Sequence, residues 1–421
     1  MLTQYPRLGE QLYRSRLENG LTVLVAPRPG FTKTLAYFAT NYGSIHTAFS
    51  LEGSDCTAPA GIAHFLEHKM FELPNRDVSA RFADLGANVN AFTSYDMTAY
   101  YVLCTDHFFD SLQLLLEFVS TPYFTEESVN REFGIIDQEI GMHRDSPESR
   151  VFENLMQAMY GQFPISVPIL GTRESIREIT PQLLSKCHRA FYTPANMVLC
   201  VVGDVEPEKV ETLAREVLGT EYAQPGQKRR FWKENPVCQR AEIRDKMEVS
   251  MPNFLLGFKS GAVARGEAGI RREIIGDLAA EALFGESSQL YLQLYGEGLI
   301  DGSFGGGFEV AEDQSMLICG GDSENPETVR DAIWAHAEQL AKTGIPEADF
   351  LRMKRSALGR RIRDLDSFDS TCFRLCAYAM SDFDYFRFPE VYETVTAEDV
   401  RLFLSQLTDR EKWAMSVIEP V

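Results

Sequence analysis

The sequence predicts an α+β protein of two related domains, each a mainly antiparallel sheet covered by helices. Three observations predict it. Strand-like and helix-like segments follow one another in the same order in both halves of the chain. A polar stretch from 219 to 245, with two prolines and no clean periodicity, divides them. The chain has 421 residues, 44% of them hydrophobic, enough for two cores. The expected boundaries are 1–218, a linker at 219–245, and 246–421.

Residues 12–28 alternate around Asn19-Gly20, a dipeptide suited to a tight hairpin turn. Residues 34–45 read as one long buried strand. Pro59 opens a helical run through GIAHFLEHKMFE, and a second helix follows through VSARFADLG, with Gly86 placed to end it. ANVNAFTSYDMTAYYVLCT reads as two paired strands turning at Ser94–Asp96. Thr125 and the two glutamates after it supply the cap and acidic first turn of a helix running to about His143. Apolar helices continue to about 191, and 197–205 is a buried strand.

Beyond the linker the order recurs: a strand at 251–261, a helix at 267–284, strands between 303 and 321, helices from 326 to 405, and a strand at 413–420. The halves share no obvious residue identity, but shared order is what a duplicated unit produces.

The net charge of −20 and pI near 4.9 exclude nucleic acid as a partner, because no basic surplus exists to replace phosphate counterions. An acidic surface either steers basic substrates or simply maintains solubility. The N-terminal residues lack the apolar core of a signal peptide, and no apolar run reaches the roughly 20 residues that span a bilayer. The eight cysteines are scattered, and the one helical pair, Cys372 and Cys376, would leave a metal half-coordinated. Buried thiols in a reducing cytoplasm are the expectation. Gly302–Gly307 lacks the lysine and threonine of a phosphate loop and reads as tight turning or close packing. The basic run at 352–364 reads as a solvated or interdomain face.

One motif carries chemistry. His64-Phe65-Leu66-Glu67-His68 places two imidazoles four residues apart, on one helical face, where both can reach one metal ion. Glu67 is close enough to touch a water on that ion. The plainer reading is a chance grouping on an amphipathic helix. A catalytic zinc needs a third protein ligand and an open position. Downstream, Val129, Phe133, Ile136 and Ile140 form one apolar stripe, and Glu132 and Glu139 lie against it, seven residues apart. Carboxylates there are costly to bury without a cation or hydrogen-bonding partner. A solvated acidic helix edge is the alternative.

H-x-x-E-H followed about seventy residues later by E-x(6)-E resembles the pitrilysin and processing-peptidase family of inverted zincins. PAGIAHFLEHKMFE, GANVNAFTSYDMTAYY, GTRESIREIT and FYTPANMVLCVVGDV are similar to its first domain in the right order, and FGESSQLYLQLYGEGLIDGSF to its second. The resemblance implies a half-clamshell fold and one Zn2+ per chain on His64, His68 and Glu139. It makes Glu67 the general base, delivering the water's proton to the leaving amine, and Glu132 an auxiliary carboxylate orienting Glu67 or a ligand. It also makes Asn90, Ala91 and Phe92 an edge on which a peptide lies extended. By pattern alone those three are equally ordinary strand residues.

The sequence departs from the family in the second domain. Members acting alone or as homodimers carry an arginine and a tyrosine there, in a segment resembling L-R-E-x-x-G-L-A-Y. Aligned on Gly298-Leu299, the tyrosine position holds Asp301 and the arginine position holds Leu294, next to Tyr295. The resemblance therefore implies a metalloendopeptidase for peptides or unfolded segments that works beside a related zinc-less subunit, with a homodimer less favoured. A different alignment, or a role for Tyr295 itself, stays open. Processing of one leader peptide is within this expectation. A non-catalytic structural subunit of the same fold is the rival.

Overall fold

The Asn19-Gly20 turn forms as its sequence requires: Gly20 sits at a φ of 90°, where an L side chain is strained. It joins Glu10–Arg16 (β2) to Thr22–Pro27 (β3), paired antiparallel from Tyr13 opposite Val25 to Arg16 opposite Thr22. The computed structural model describes residues 1–73, 78–229 and 233–421. Part of the expected linker, 230–232, lies outside the described residues.

Besides β2 and β3, the first half contributes Leu2–Tyr5 (β1), Thr34–Thr40 (β4), Ala48–Leu51 (β5), Ser54–Thr57 (β6), Asn88–Thr93 (β7), Thr98–Cys104 (β8) and Met197–Gly203 (β9). Gln227–Lys228 (β10) follows, then Glu242–Met247 (β11), Asn253–Ala262 (β12), Gly305–Ala311 (β13), Gln314–Asp322 (β14) and Trp413–Pro420 (β15).

The chain folds as two compact units. One gathers Met1–Ile140, Pro168–Phe231 and Ile362–Arg387; the other gathers Gly141–Val167, Trp232–Arg361 and Phe388–Val421. These are discontinuous, unlike the uninterrupted blocks 1–218 and 246–421 expected from composition. Segment 141–167 of the first half belongs to the second unit, and segment 362–387 of the second half belongs to the first.

The first unit is built on a seven-stranded sheet in the order β1-β2-β3-β9-β4-β8-β7. Alternation divides its faces. Val23, Val25, Ala36, Phe38, Tyr100, Val102, Leu199 and Val201 share one core with Ile62, Phe65 and Leu66 of the helix Ile62–Met70 and with the helix Phe108–Ser120. The opposite face is covered by the helix Phe368–Met380: the Tyr37 hydroxyl donates to Asp369, and Cys372 Sγ lies 3.9 Å from the Leu35 carbonyl. Covered on both sides, β4 and β9 are buried throughout, which is why their sequences read as continuous apolar runs.

The second unit repeats the plan. Its sheet runs β11-β15-β12-β14-β13, with β11 parallel to β15 and the other pairs antiparallel. In the first unit β3-β9-β4-β8-β7 has the same pattern, the β3–β9 pair being the parallel one. The helix Pro147–Met159 packs so closely on this second sheet that a Cβ on Gly257 would meet Met159 Sδ at 2.4 Å. Gly306 is needed for the same reason: a Cβ there would lie 2.1 Å from the Ile318 carbonyl. The glycine run is thus part of a strand and its entry turn.

Three expectations need correcting. The strand expected over 34–45 ends at Thr40, because Gly43 packs against the 94–96 turn, where its Cβ would be 2.5 Å from Asp96 N. The expected linker contains strands: β10 pairs with β5, and β11 is the edge of the second sheet, its EIRDKM sequence too polar and short to stand out. The basic run is not simply solvated. It lies on the helix Glu347–Arg363, where Arg361 is buried against Glu273, and Arg360 donates to Glu281 at 2.8 Å.

Candidate metal centre

The helix Ile62–Met70 begins at Gly61, whose φ of 90° and approach to the Leu170 carbonyl, 2.4 Å from where a Cβ would lie, admit no side chain. Its residues are almost all buried, including His64 and Glu67. Polar groups in that position need partners. Glu67 accepts from Thr93, while His64 faces the helix Glu126–Arg144, where Glu132 and Glu139 lie two turns apart on one face.

The imidazoles of His64 and His68 have ring centres 4.5 Å apart. His64 Nε2 is 3.7 Å from one carboxylate oxygen of Glu139, and His68 Nε2 is 3.7 Å from the other. One donor atom from each of the three residues lies within 4.8 Å of the others, the one such group of three found among the described residues. At 3.7 Å these groups are too far apart to hydrogen-bond. Ligands about 2.0–2.2 Å from a tetrahedral zinc lie about 3.3–3.6 Å from each other, so the donor set fits that ion in type, and its two 3.7 Å spacings lie close to that range.

The protonation pattern fits as well. His68 Nδ1 lies 3.0 Å from Glu132 Oε1, and an ionised carboxylate can only accept, so the ring proton belongs on Nδ1 and leaves Nε2 as a donor atom. Burial alone would lower the His68 pKa, but the Glu132 hydrogen bond and the charges of Glu67, Glu132 and Glu139 outweigh it and raise it. A field that favours a proton on the ring also favours a cation among these donors.

Glu67 points into the same cluster. Burial pushes its carboxyl pKa up, with the Thr93 hydrogen bond and the His68 charge opposing. The Thr93 hydroxyl donates to Glu67 Oε2 at 2.7 Å. Thr93 ends β7, the outermost strand of the first sheet, whose far side has no strand partner among the described residues. Alternation turns Val89 and Ala91 toward the core beside the motif helix, while Phe92 faces Tyr37, Tyr101 and Phe373, with ring centres 5.9–6.5 Å away.

His64, Glu67, His68, Glu132 and Glu139 therefore converge, and Asn90, Ala91 and Phe92 lie on the adjoining edge strand. Sequence reasoning missed Thr93, the next residue of that strand, whose contact with Glu67 depends on strand register. It also missed Lys69, wholly buried beside His68, although Ile62, Phe65, Leu66 and Lys69 follow the spacing of one apolar helical stripe. Tyr295 is 56% exposed and stacks on Tyr291, and Asp301 accepts from the backbone and hydroxyl of Ser303, so each is engaged within its own segment.

The comparisons agree with this architecture. The model of the insulinase family, peptidase family M16, matches residues 53–173, and that of the peptidase M16 inactive domain matches 178–357. The chain is 37% identical over 424 residues to a Bacillus subtilis protein named "Uncharacterized zinc protease YmfH", spanning 99% of this chain and 98% of that one. It is 25% identical over 371 residues to that organism's "Uncharacterized zinc protease YmxG", spanning 86% of each. A crystal structure described as a candidate M16-like peptidase from Alicyclobacillus acidocaldarius superposes with a TM-score of 0.94 at 34% identity, over 98% of this chain and 99% of that one. A fold-level likeness reaches a chain of Complex III2 from Candida albicans, with a TM-score of 0.77 at 13% identity over 96% and 95% of the two chains. By its two family matches and its full-length similarity to a zinc protease, this chain belongs to peptidase family M16, with the two-domain α+β fold of that family.

Proposed function

We propose that this chain is a zinc-dependent metalloendopeptidase for peptides or unfolded segments, leader or precursor peptides included. The observation that carries the reading is the convergence of His64, His68 and Glu139, with donor atoms within 4.8 Å of one another, beside Glu67. Zinc, when bound, supplies Lewis acidity to a water and to the scissile carbonyl. Glu67 takes the water's proton and returns it to the leaving amine, and its raised pKa brings it closer to the task. Glu132 holds the His68 ring, and Thr93 fixes the Glu67 carboxylate.

The open edge of β7 suits a peptide adding as a further strand, with Asn90, Ala91 and Phe92 along it. Phe92, Tyr101 and the partly exposed Phe373, backed by the buried Tyr37, make an aromatic surface beside that edge for an apolar substrate side chain. Metal analysis tests the reading. Purified chain is expected to carry about one zinc, lost in His68→Ala and Glu139→Ala, whereas a folded chain unable to bind zinc would favour the non-catalytic subunit.

Leu294, its neighbour Tyr295 and Asp301 offer no cation where solitary family members carry arginine, which supports a heteromeric enzyme. A zinc-less related chain would supply the arginine and tyrosine, each such donor being worth about 3 kcal/mol, or roughly a hundredfold, in the transition state. Turnover of a quenched-fluorescent peptide is expected to rise at least tenfold on adding that chain. An unchanged rate would exclude the heteromer. A cytoplasmic site of action belongs to the same proposal. No described helix is long and apolar enough to cross a membrane.

A further inference from the structure

Lys69 is the charged residue of the motif helix that the zinc reading leaves without a task. It is 0% exposed, and an ammonium so far from water is costly unless paired. Packing alone would be met by leucine or methionine. Its Nζ is paired with Glu72, which also accepts from Arg131 at 2.6 Å, and it donates to the Ser128 carbonyl at 3.3 Å. The third neighbour is Glu132, whose Oε2 lies 3.8 Å from Nζ and whose Oε1 lies 3.0 Å from His68 Nδ1. Lys69, Glu132 and His68 thus form one chain of contacts from a buried cation to a metal-ligating ring.

We propose that Lys69 is a positioning residue of the metal centre: held by Glu72 and the Ser128 carbonyl, its ammonium fixes the Glu132 carboxylate so that His68 keeps Nε2 turned toward Glu139. The inference rests on zinc binding by His64, His68 and Glu139. A lysine serving only as a core ion pair would stabilise the fold without altering the metal site. Partners of ligating histidines commonly change metal affinity 10–100-fold, which sets the scale for a residue acting through one.

The test measures zinc affinity, by competition with a chromophoric chelator, and the visible spectrum of the cobalt(II)-substituted protein. Both are read on wild type, Lys69→Met, Glu132→Gln and the double variant. Lys69→Met is expected to bind zinc about tenfold or more weakly and to shift the cobalt bands. The double variant should bind no more weakly than Glu132→Gln, because the route through Glu132 is already broken. Wild-type affinity and spectrum in Lys69→Met would overturn the proposal. So would a double variant tenfold weaker than Glu132→Gln. Should Lys69→Met fail to fold, Lys69→Gln is read in its place by the same criteria. Absence of metal binding by the wild type would instead remove the zinc reading and this inference with it.

Discussion

Glu67→Gln is expected to lower kcat by about 10²–10⁴-fold, the usual worth of a positioned general base, while leaving one zinc per chain. Glutamine keeps the shape of the side chain and an oxygen to accept from the Thr93 hydroxyl, now 2.7 Å away. It loses the one function a carboxylate adds here, which is to take up a proton and release it. The metal donors are His64, His68 and Glu139, so zinc content should not follow activity downward. Peptide turnover and metal analysis on the same preparation check both halves of the expectation. A variant retaining more than a tenth of wild-type kcat would remove Glu67 from the chemistry; one that lost its zinc would make it part of the metal site.

The second large effect concerns the fold. Residues 1–218 expressed alone are expected to yield no cooperative unfolding transition and no zinc site, although they contain every proposed ligand. The fragment lacks Ile362–Arg387, where Leu365, Phe368, Cys372, Leu375, Cys376 and Phe386 are each 4% exposed or less. At about 1.5–3 kcal/mol for each fully buried large apolar side chain, their loss approaches or exceeds the 5–15 kcal/mol by which a domain is typically stable. The fragment also carries a helix, Pro147–Met159, whose partner sheet is missing. Differential scanning calorimetry and zinc titration measure the outcome. Supplying 219–421 in trans should restore both signals; a fragment that melts cooperatively and binds zinc by itself would show the swapped segment to be dispensable.

What could be read in the sequence was local. Asn19-Gly20 specifies a hairpin by its own conformational preferences, and the Thr125-Glu126-Glu127 start by its cap and charges. The metal motif was legible because helical geometry alone brings residues 64 and 68 to one face, and 132 and 139 to another. The exchange of helices between units was not legible, since any amphipathic helix can cover either sheet and nothing in 147–159 or 368–380 names its partner. Edge strands such as β1, β6 and β11 escaped because strands wetted along one side are short and polar, the same composition as a loop. The helix Phe108–Ser120, rich in leucine and phenylalanine, passed without an assignment; its signal was present and unused.

The position of β9 between β3 and β4 governs how the chain can be made. β3 and β4 leave the ribosome long before β9 is translated, a wait on the order of 10 s at typical elongation rates. Throughout it, LTVLVAP and TLAYFAT each keep unpaired the edge that β9 will fill, on uncharged, β-prone sequence of the kind that drives intermolecular strand stacking. The nascent first half is therefore expected to gain from chaperones that hold such edges apart. Its yield should depend more on synthesis rate and temperature than on the stability of the finished protein.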